Sequence, residues 1–153
     1  ARRLAQLRQE HPVLRRRRFL RGGGPVHDVV WLAPAGREMT TADWHHPQAR
    51  ALGMLLPGEA FDEPDERGRS LPADTLLALF NADAGTVHFR LPETPGTHWD
   101  RLLDTADPDD TRPFTGRVRY DVVGRSVVVL RLASGRQRRR GHPAPVPGMA
   151  SAP

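Results

Sequence analysis

The sequence predicts a mainly β protein, an antiparallel β-sandwich preceded by one α-helix. Short apolar runs recur along the chain with Gly, Pro, Asn or Asp between them, as in antiparallel strands joined by turns. One run, Ser126–Leu132, is the most strongly β-branched segment of the chain, which favours a strand. With 153 residues the chain can bury one core, and a second independent domain would be cramped.

The helix is predicted at the start of the chain, over Ala1–Glu10. Leu4, Leu7 and His11 recur at spacings of three and four, so they share one helical face. Pro12 disfavours helical geometry at the residue before it and ends the helix there. A run of three glycines and a proline, Gly22–Pro25, then predicts a linker.

Two strands are predicted in the next part of the chain, at His27–Leu32 and Ala49–Leu56. Between them, Glu38–Pro47 resembles neither regular element, and Thr40 or Thr41 could cap a short helical turn carrying Asp43 and Trp44. The acidic, Pro-rich and Gly-rich segment that follows, Glu59–Asp74, is predicted to be a loop.

The second half is predicted to hold two β-hairpins. In Thr75–Pro92, two apolar runs are joined by Asn, Asp and Gly, residues that tolerate left-handed backbone. In Val118–Leu132, two runs meet at a Gly-Arg turn. Between the hairpins, a strand over His98–Asp104 would point Trp99 and Leu103 inward.

Charge is divided along the chain. The net charge of +5 combines +7 in Ala1–Arg21 and +5 in Arg131–Pro153 with −7 in Gly22–Leu130. A nucleic-acid domain more often carries a basic stripe through its fold, with interleaved aromatics. Because the predicted folded part is acidic, we expect no nucleic-acid partner.

Composition also excludes some classes of site. The chain has no cysteine, which excludes disulfides and thiolate metal sites. No apolar run reaches the roughly 18–20 residues of a membrane span, so we expect no membrane partner and a cytoplasmic protein. The chain begins with Ala rather than Met, which suggests a fragment or a processed chain.

Candidate acid–base groups lie in two predicted loops, and we expect these carboxylates to be solvated. The spacing at Asp107, Asp109 and Asp110 faintly suggests a hard cation, but a calcium loop needs a fuller ligand set. His45 and His46 are adjacent, so on a strand they would face opposite ways and could not share a metal. We therefore predict no metal site and no cofactor.

The three tryptophans are the candidate sugar contacts, because sugar rings stack on exposed indoles. Trp31 and Trp99 have apolar neighbours and are predicted to lie in the core. Trp44 lies between Asp43 and the two histidines, and the sequence leaves core and surface equally open for it. Trp44, His45 and His46 are therefore the candidate glucan contacts.

Several segments, in order, resemble a known family. They are LRQEHPVLRRRRFLRG at Leu7–Gly22, DVVWLAPAGREMTTADWHHPQARALGMLLPG at Asp28–Gly58, DTLLALFNADAGTVHFRLP at Asp74–Pro92 and WDRLLDTA at Trp99–Ala106. Together they resemble the C-terminal end of bacterial glycogen debranching enzymes, the isoamylase-like members of the α-amylase superfamily. WLAPAGREMTTADW is the most specific part, and the resemblance covers roughly Ala1–Leu132.

The resemblance implies that the first 25 residues hold the last helix of a catalytic (β/α)8 barrel plus a linker. Residues 26–134 would form the C-terminal sandwich that packs on the barrel, and 135–153 an Arg-rich and Pro-rich disordered tail. Family members hydrolyse α-1,6 branch linkages with three carboxylates at the ends of barrel strands. No residue here matches those motifs, so the resemblance implies no catalytic residue in this chain.

The expected partners are therefore the missing barrel and, through the full-length enzyme, an α-glucan. An alternative is a carbohydrate-binding module for α-glucans without hydrolysis, motivated by Trp44 and the adjacent histidines. A third possibility, a nucleic-acid binder, is motivated by the two Arg-rich ends.

Overall fold

The computed structural model describes residues 2–22, 27–61, 63–64, 67–69, 71–110, 114–116 and 118–134. Within these ranges lie two short α-helices and eight strands. They are α1 Arg2–Glu10, β1 Val30–Leu32, α2 Thr41–Trp44, β2 Ala51–Leu56, β3 Leu76–Asn81, β4 Val87–Arg90, β5 Thr97–Asp104, β6 Thr115–Gly116, β7 Arg119–Val122 and β8 Ser126–Ser134. The predicted tail, 135–153, lies outside the described residues.

The strands form two sheets that share one core, which confirms the predicted mainly β, antiparallel sandwich. Six strands form one sheet in the order β1-β2-β3-β8-β5-β6, and β4 and β7 form the other. Every pairing is antiparallel. The larger sheet buries Leu77, Leu79 and Val128 against Phe89 and Val122 of the smaller one, each at most 1% exposed.

Both predicted hairpins are wrong in their pairing. The runs of Thr75–Pro92 do form strands, but β3 pairs with β2 and β8, whereas β4 pairs with β7. The runs of Val118–Leu132 likewise separate, because β8 pairs with β3 and β5. Both edges of β3 are occupied, so β4 has no edge to pair with and crosses to the second sheet. Each predicted hairpin is therefore an arch that links the two sheets.

The buried amide of Asn81 joins the two arches. Its Nδ2 donates to the carbonyl oxygens of Gly85 at 2.8 Å, Val122 at 3.0 Å and Val123 at 3.2 Å, and its Oδ1 accepts from the Asp83 amide at 2.9 Å. The side chain is nearly inaccessible, with 3% of the residue exposed. Because backbone groups at an arch have no ladder partners, this amide replaces the bonds that a hairpin would have made.

The two arches also meet directly. The Arg125 amide donates to the carbonyl oxygen of Asp83 at 2.9 Å. A Cβ atom added at Gly124 would lie 2.1 Å from the carbonyl oxygen of Ala84, so only glycine fits at this approach. The second arch can therefore lie against the first only with a glycine at its turn.

The N-terminal segment packs on the opposite, reverse face of the larger sheet. Val13 lies in a 3-10 turn over Pro12–Arg15 and joins a second cluster with Leu56, Phe61 and Leu76. The predicted helix is confirmed, and its Leu7 is buried within this chain, whereas Leu4 is 55% exposed. Among the described residues no helix is long and apolar enough to cross a membrane.

Asp28 explains why the first strand is shorter than the predicted His27–Leu32. Its carboxylate accepts from the amides of Arg21 and Gly22 and from the Arg16 guanidinium, at 2.9 to 3.2 Å. These bonds hold the residue in the turn before β1, which begins at Val30. The backbone amides lower the pKa of Asp28, with a further contribution from the charge of Arg16.

The remaining predicted segments agree in type. The strand predicted at Ala49–Leu56 is β2, and the capped helical turn is α2. Trp99 is in the core at 2% exposure. Leu103, predicted to point inward, is half-buried, because a register shift between Arg101 and Leu103 interrupts the alternation, and Leu102 packs on the second cluster instead.

Candidate functional site

The predicted capping turn forms the wall of the candidate site. Thr40 caps α2: its hydroxyl accepts from the Asp43 amide, and the Asp43 carboxylate accepts from the Thr40 amide in return. The Arg37 guanidinium binds both oxygens of the same carboxylate, at 2.6 and 2.8 Å. The Met39 amide donates to the carbonyl oxygen of Trp31 at 2.8 Å, which holds the segment leading to α2 beside β1.

These contacts determine the electrostatics of Asp43. The hydrogen bonds from Arg37, followed by those from Thr40, hold the pKa of the Asp43 carboxyl far below its usual range. The same pair raises the pKa of Arg37. Asp43 is therefore ionised at neutral pH, with its oxygens bound to Arg37 and Thr40. Such a carboxylate stabilises structure and does not donate a proton.

Trp44 lies at the end of this turn, half-exposed at 50%. It packs edge-on against Trp31, with ring centroids 5.7 Å apart and planes at 78°. Trp31 is partly buried and packs on the reverse-face cluster. Trp31, which was predicted to lie in the core, therefore lies at the edge of the core, and Trp44 lies beside it on the surface.

The two histidines differ in what they can offer. The Nδ1 of His45 lies 2.7 Å from the carbonyl oxygen of Thr41, so this nitrogen donates and the ring closes the end of α2. The Nδ1 of His46 lies 3.2 Å from the amide of Gln48, so this nitrogen accepts. In a neutral imidazole the other nitrogen then carries the proton, so His46 presents an Nε2–H donor.

A cleft of about 370 Å³ opens beside His46 at the end of the sandwich where β2 begins and β3 ends. His46, Gln48 and Arg50 are polar side chains on its rim. Apolar and acidic groups complete the lining: Ala33, Pro34, Met39, Asp43, Ala49, Ala51, Asp83 and Val87. Of the three predicted glucan contacts, only His46 lines the cleft.

The structure thus separates residues that the sequence grouped together. Trp44 faces Trp31, and His45 faces its own helical turn, although both lie within two residues of His46 in sequence. Sequence reasoning did not single out Gln48 and Arg50. Their signal was available, since two polar residues separated by one alanine lie just before an apolar strand, at the edge of an irregular segment.

Asp83, which also lines the cleft, belongs to the first arch. Its Oδ1 accepts from the amides of Ala84 and Gly85 at 2.6 and 3.2 Å. These two backbone bonds, with the nearby charge of Arg50, lower the pKa of Asp83. Both acids of the cleft are therefore ionised and held by other groups of the fold.

One acid predicted to be solvated is instead buried. The Asp110 side chain is 7% exposed and pairs with the Arg101 guanidinium at 2.8 Å. Arg101 also reaches Tyr120, whose hydroxyl donates to Asp104 at 2.8 Å. Burial raises the pKa of Tyr120 to about 12. This network lies between β5 and β7 and serves to join the two sheets.

A sequence model of one protein family matches residues 28–131, and that family is described as isoamylase, C-terminal. The match spans both sheets and includes the cleft. The chain belongs to the isoamylase C-terminal family. This confirms the family resemblance found in the sequence, and the sandwich is the C-terminal domain of an isoamylase-type protein.

Two curated relatives of this isoamylase C-terminal domain are the glycogen operon protein GlgX homologues of Mycobacterium bovis and Mycobacterium tuberculosis. Each is 40% identical over 139 residues, which is 86% of this chain and 19% of the relative. The chain therefore spans about a fifth of the length of the curated relatives it matches.

Solved structures with a similar arrangement include two of the enzyme MutB. An inactive double mutant in complex with isomaltulose matches 86% of this chain and 17% of that chain, at 16% identity and a TM-score of 0.47. The trehalulose synthase MutB from Pseudomonas mesoacidophila MX-45 matches 56% of this chain and 13% of that chain, at 17% identity and a TM-score of 0.37.

Proposed function

We propose that this chain is the non-catalytic C-terminal domain of a glycogen-debranching hydrolase, whose full-length form cleaves α-1,6 branch linkages in glycogen-like glucans. The observation that carries the proposal is the isoamylase C-terminal match over 28–131. The relatives named for the glycogen operon support the substrate class, and their greater length leaves room for a catalytic domain.

Three acids among the described residues support a structural role for this chain. Asp28, Asp43 and Asp121 each bind an arginine, and each has a lowered pKa. A glycosidase needs one carboxylic acid with a raised pKa as its proton donor. Lowered values favour structural ion pairs over proton donation at these three positions.

The sandwich would serve the enzyme as a docking domain through the reverse face of its larger sheet. Side chains there alternate with the fully buried ones of β3 and β8, yet they are apolar and only partly buried: Leu52, Met54, Ala78, Phe80, Val127 and Val129. Solvated sheet faces normally carry polar residues at these positions. A continuous apolar face of this kind is typical of a surface that another domain covers.

The path of the N-terminal segment indicates which domain that is. Val13 and Leu14 pack on this same reverse face, so the polypeptide that precedes them must approach from that side. Three exposed apolar residues lie in this segment or beside the face: Leu4 at 55%, Phe19 at 95% and Trp44 at 50%. We assign the docking surface to the preceding barrel, with α1 as its last helix.

The family resemblance supplies two further parts of the proposal. Residues 1–25 would connect barrel and sandwich, and 26–134 would form the sandwich. We also propose a cytoplasmic location for the full-length enzyme, since its curated relatives are named for a glycogen operon.

The test compares this chain with the full-length polypeptide on an α-1,6-branched glucan, by release of reducing ends. We expect release by the full-length polypeptide and none by the chain. Reducing ends released by the chain alone would overturn its non-catalytic role. A full-length polypeptide without debranching activity would overturn the assigned reaction.

A further inference from the structure

We propose that the cleft beside His46 is an α-glucan subsite, in which His46, Gln48 and Arg50 bind sugar hydroxyls. This inference rests on the proposed function for its substrate class. It assigns to the sandwich a second role, holding a glucan chain while the rest of the enzyme acts on it.

The dimensions of the cleft fit a short stretch of sugar. Its volume of about 370 Å³ is within the range of roughly 300–1,000 Å³ that small-molecule sites occupy. Met39, Ala51 and Val87 give it an apolar lining, against which the C–H face of a pyranose can pack. These three apolar side chains are partly buried, whereas His46, Gln48 and Arg50 are exposed, and small-molecule sites commonly combine an apolar lining with a few polar groups.

The rim carries free hydrogen-bonding capacity. His46 keeps its Nδ1 for the Gln48 amide and so presents Nε2–H. Within the part of the chain that the structure describes, no protein hydrogen bond is found for this Nε2, for the Gln48 side-chain amide or for the Arg50 guanidinium. Imidazole, amide and guanidinium groups together provide both donors and an acceptor, which suits neighbouring hydroxyls.

The charges of the cleft favour a neutral ligand. Asp43 is neutralised by Arg37, and Asp83 is held by backbone amides, so neither carboxylate is free to bind a cation. Arg50 lies close enough to Asp83 to lower its pKa, so its positive charge is partly offset. A polyol gains hydrogen bonds here without requiring a net charge.

The cleft and the proposed docking surface lie on opposite faces of β2, because Ala51 packs on the core whereas its neighbour Leu52 points to the reverse face. The N-terminal segment packs near Leu56 and Leu76, at one end of β2 and β3, whereas the cleft borders Ala51 and Asp83 at the other. Leu56 is five residue steps along the extended strand from Ala51, a distance of about 17 Å. A glucan could therefore reach the cleft while the reverse face is covered.

The experiment is an NMR titration of this chain with maltohexaose, following the backbone amide signals. We expect saturable shifts at Gln48 and Arg50, with a Kd on the order of 1 mM or tighter. Gln48→Ala and Arg50→Ala should each raise the Kd about fivefold, as expected for the loss of one net hydrogen bond. His45→Ala is the matched control, because it removes a neighbouring imidazole outside the cleft, and it should leave the Kd unchanged.

Three results would overturn the subsite. They are no saturable shift up to about 10 mM maltohexaose, equal binding of cellohexaose, or binding that Trp44→Ala abolishes while the Gln48 and Arg50 variants retain it. These results are independent of the debranching assay. If the full-length enzyme debranches glucan but the sandwich does not bind maltohexaose, only the subsite is refuted. If the sandwich binds maltohexaose but the full-length enzyme is inactive, the proposed reaction is refuted instead.

Discussion

Replacement of Asn81 should destabilise the sandwich more than any surface change. The amide has two hydrogens for three carbonyl oxygens and accepts one further bond from Asp83, so Asn81→Ala removes about three net hydrogen bonds. At about 1 kcal/mol each, the free energy of unfolding should fall by about 3 kcal/mol. The partners are left buried at the junction of two arches, where water cannot readily replace the amide.

Urea denaturation followed by tryptophan fluorescence measures this loss. With a denaturant slope of about 2 kcal/mol per molar, the midpoint should move down by about 1.5 M urea. Gln48→Ala, an exposed amide, is the control and should change stability by less than about 0.5 kcal/mol.

Asn81→Asp adds a second, pH-dependent measurement. The isosteric carboxylate has no donor and faces three carbonyl oxygens, so at neutral pH it should destabilise more than alanine does. Protonation gives it one donor, so its stability relative to the alanine variant should recover as pH falls. A loss below about 0.5 kcal/mol for alanine, or an aspartate variant without recovery in acid, would refute the account of the arches.

Three further predictions concern the core, the linker and the arch turns. The single tyrosine, Tyr120, should ionise near pH 12 when its titration is followed by ultraviolet absorbance, and Asp104→Asn should lower its pKa. Because the pKa of tyrosine in the unfolded chain is about 10, the contribution of Tyr120 to stability is complete below about pH 10 and is lost as the pH rises through 12. If Tyr120 titrated near 10 in the folded protein, the buried network would be wrong. Asp28→Ala should lower the free energy of unfolding by about 3 kcal/mol, since it leaves the Arg16 guanidinium without its carboxylate at 10% side-chain exposure. Because the pKa of Asp28 is lowered in the folded protein, the difference in stability between wild type and variant should be full above about pH 4 and should shrink in acid. A difference that does not change with pH would contradict this role of Asp28. Gly124→Ala should lower the free energy of unfolding by about 1–3 kcal/mol, because the added Cβ would meet the backbone of Ala84. Gly85→Ala is the matched control, because the space around Gly85 is open. A similar loss of stability in both variants would count against close contact of the arches.

The sequence specified the strands well and their partners poorly. The alternation in Val87–Arg90 and the continuous apolar run of Leu76–Asn81 correctly indicated one strand with a solvated face and one central strand. Hairpins and arches use the same turn residues, so local chemistry did not distinguish them. What separates them is that β8, 50 residues later in the chain, occupies the free edge of β3, and no local pattern reports a contact at that range.

The candidate site shows the same limit. The capping turn at Thr40 was predictable because its two hydrogen bonds are local in sequence. The cleft was not, because it needs Val87 and Asp83 from one arch beside His46 and Gln48 from another part of the chain. Sequence proximity grouped Trp44 and His45 with His46, although consecutive residues where a short helix ends point in different directions.

The most direct test of the docking role places a charge on the reverse face and compares two proteins. Phe80→Glu lies centrally on that face, between Leu52 and Val127, and His88→Glu on the exposed outer face of the small sheet is the control. In the full-length polypeptide, Phe80→Glu should lower the thermal midpoint well beyond its effect in this chain alone, because the face must then be buried against the barrel. Equal shifts in the two proteins would contradict the account, since the reverse face would then be a surface that nothing covers.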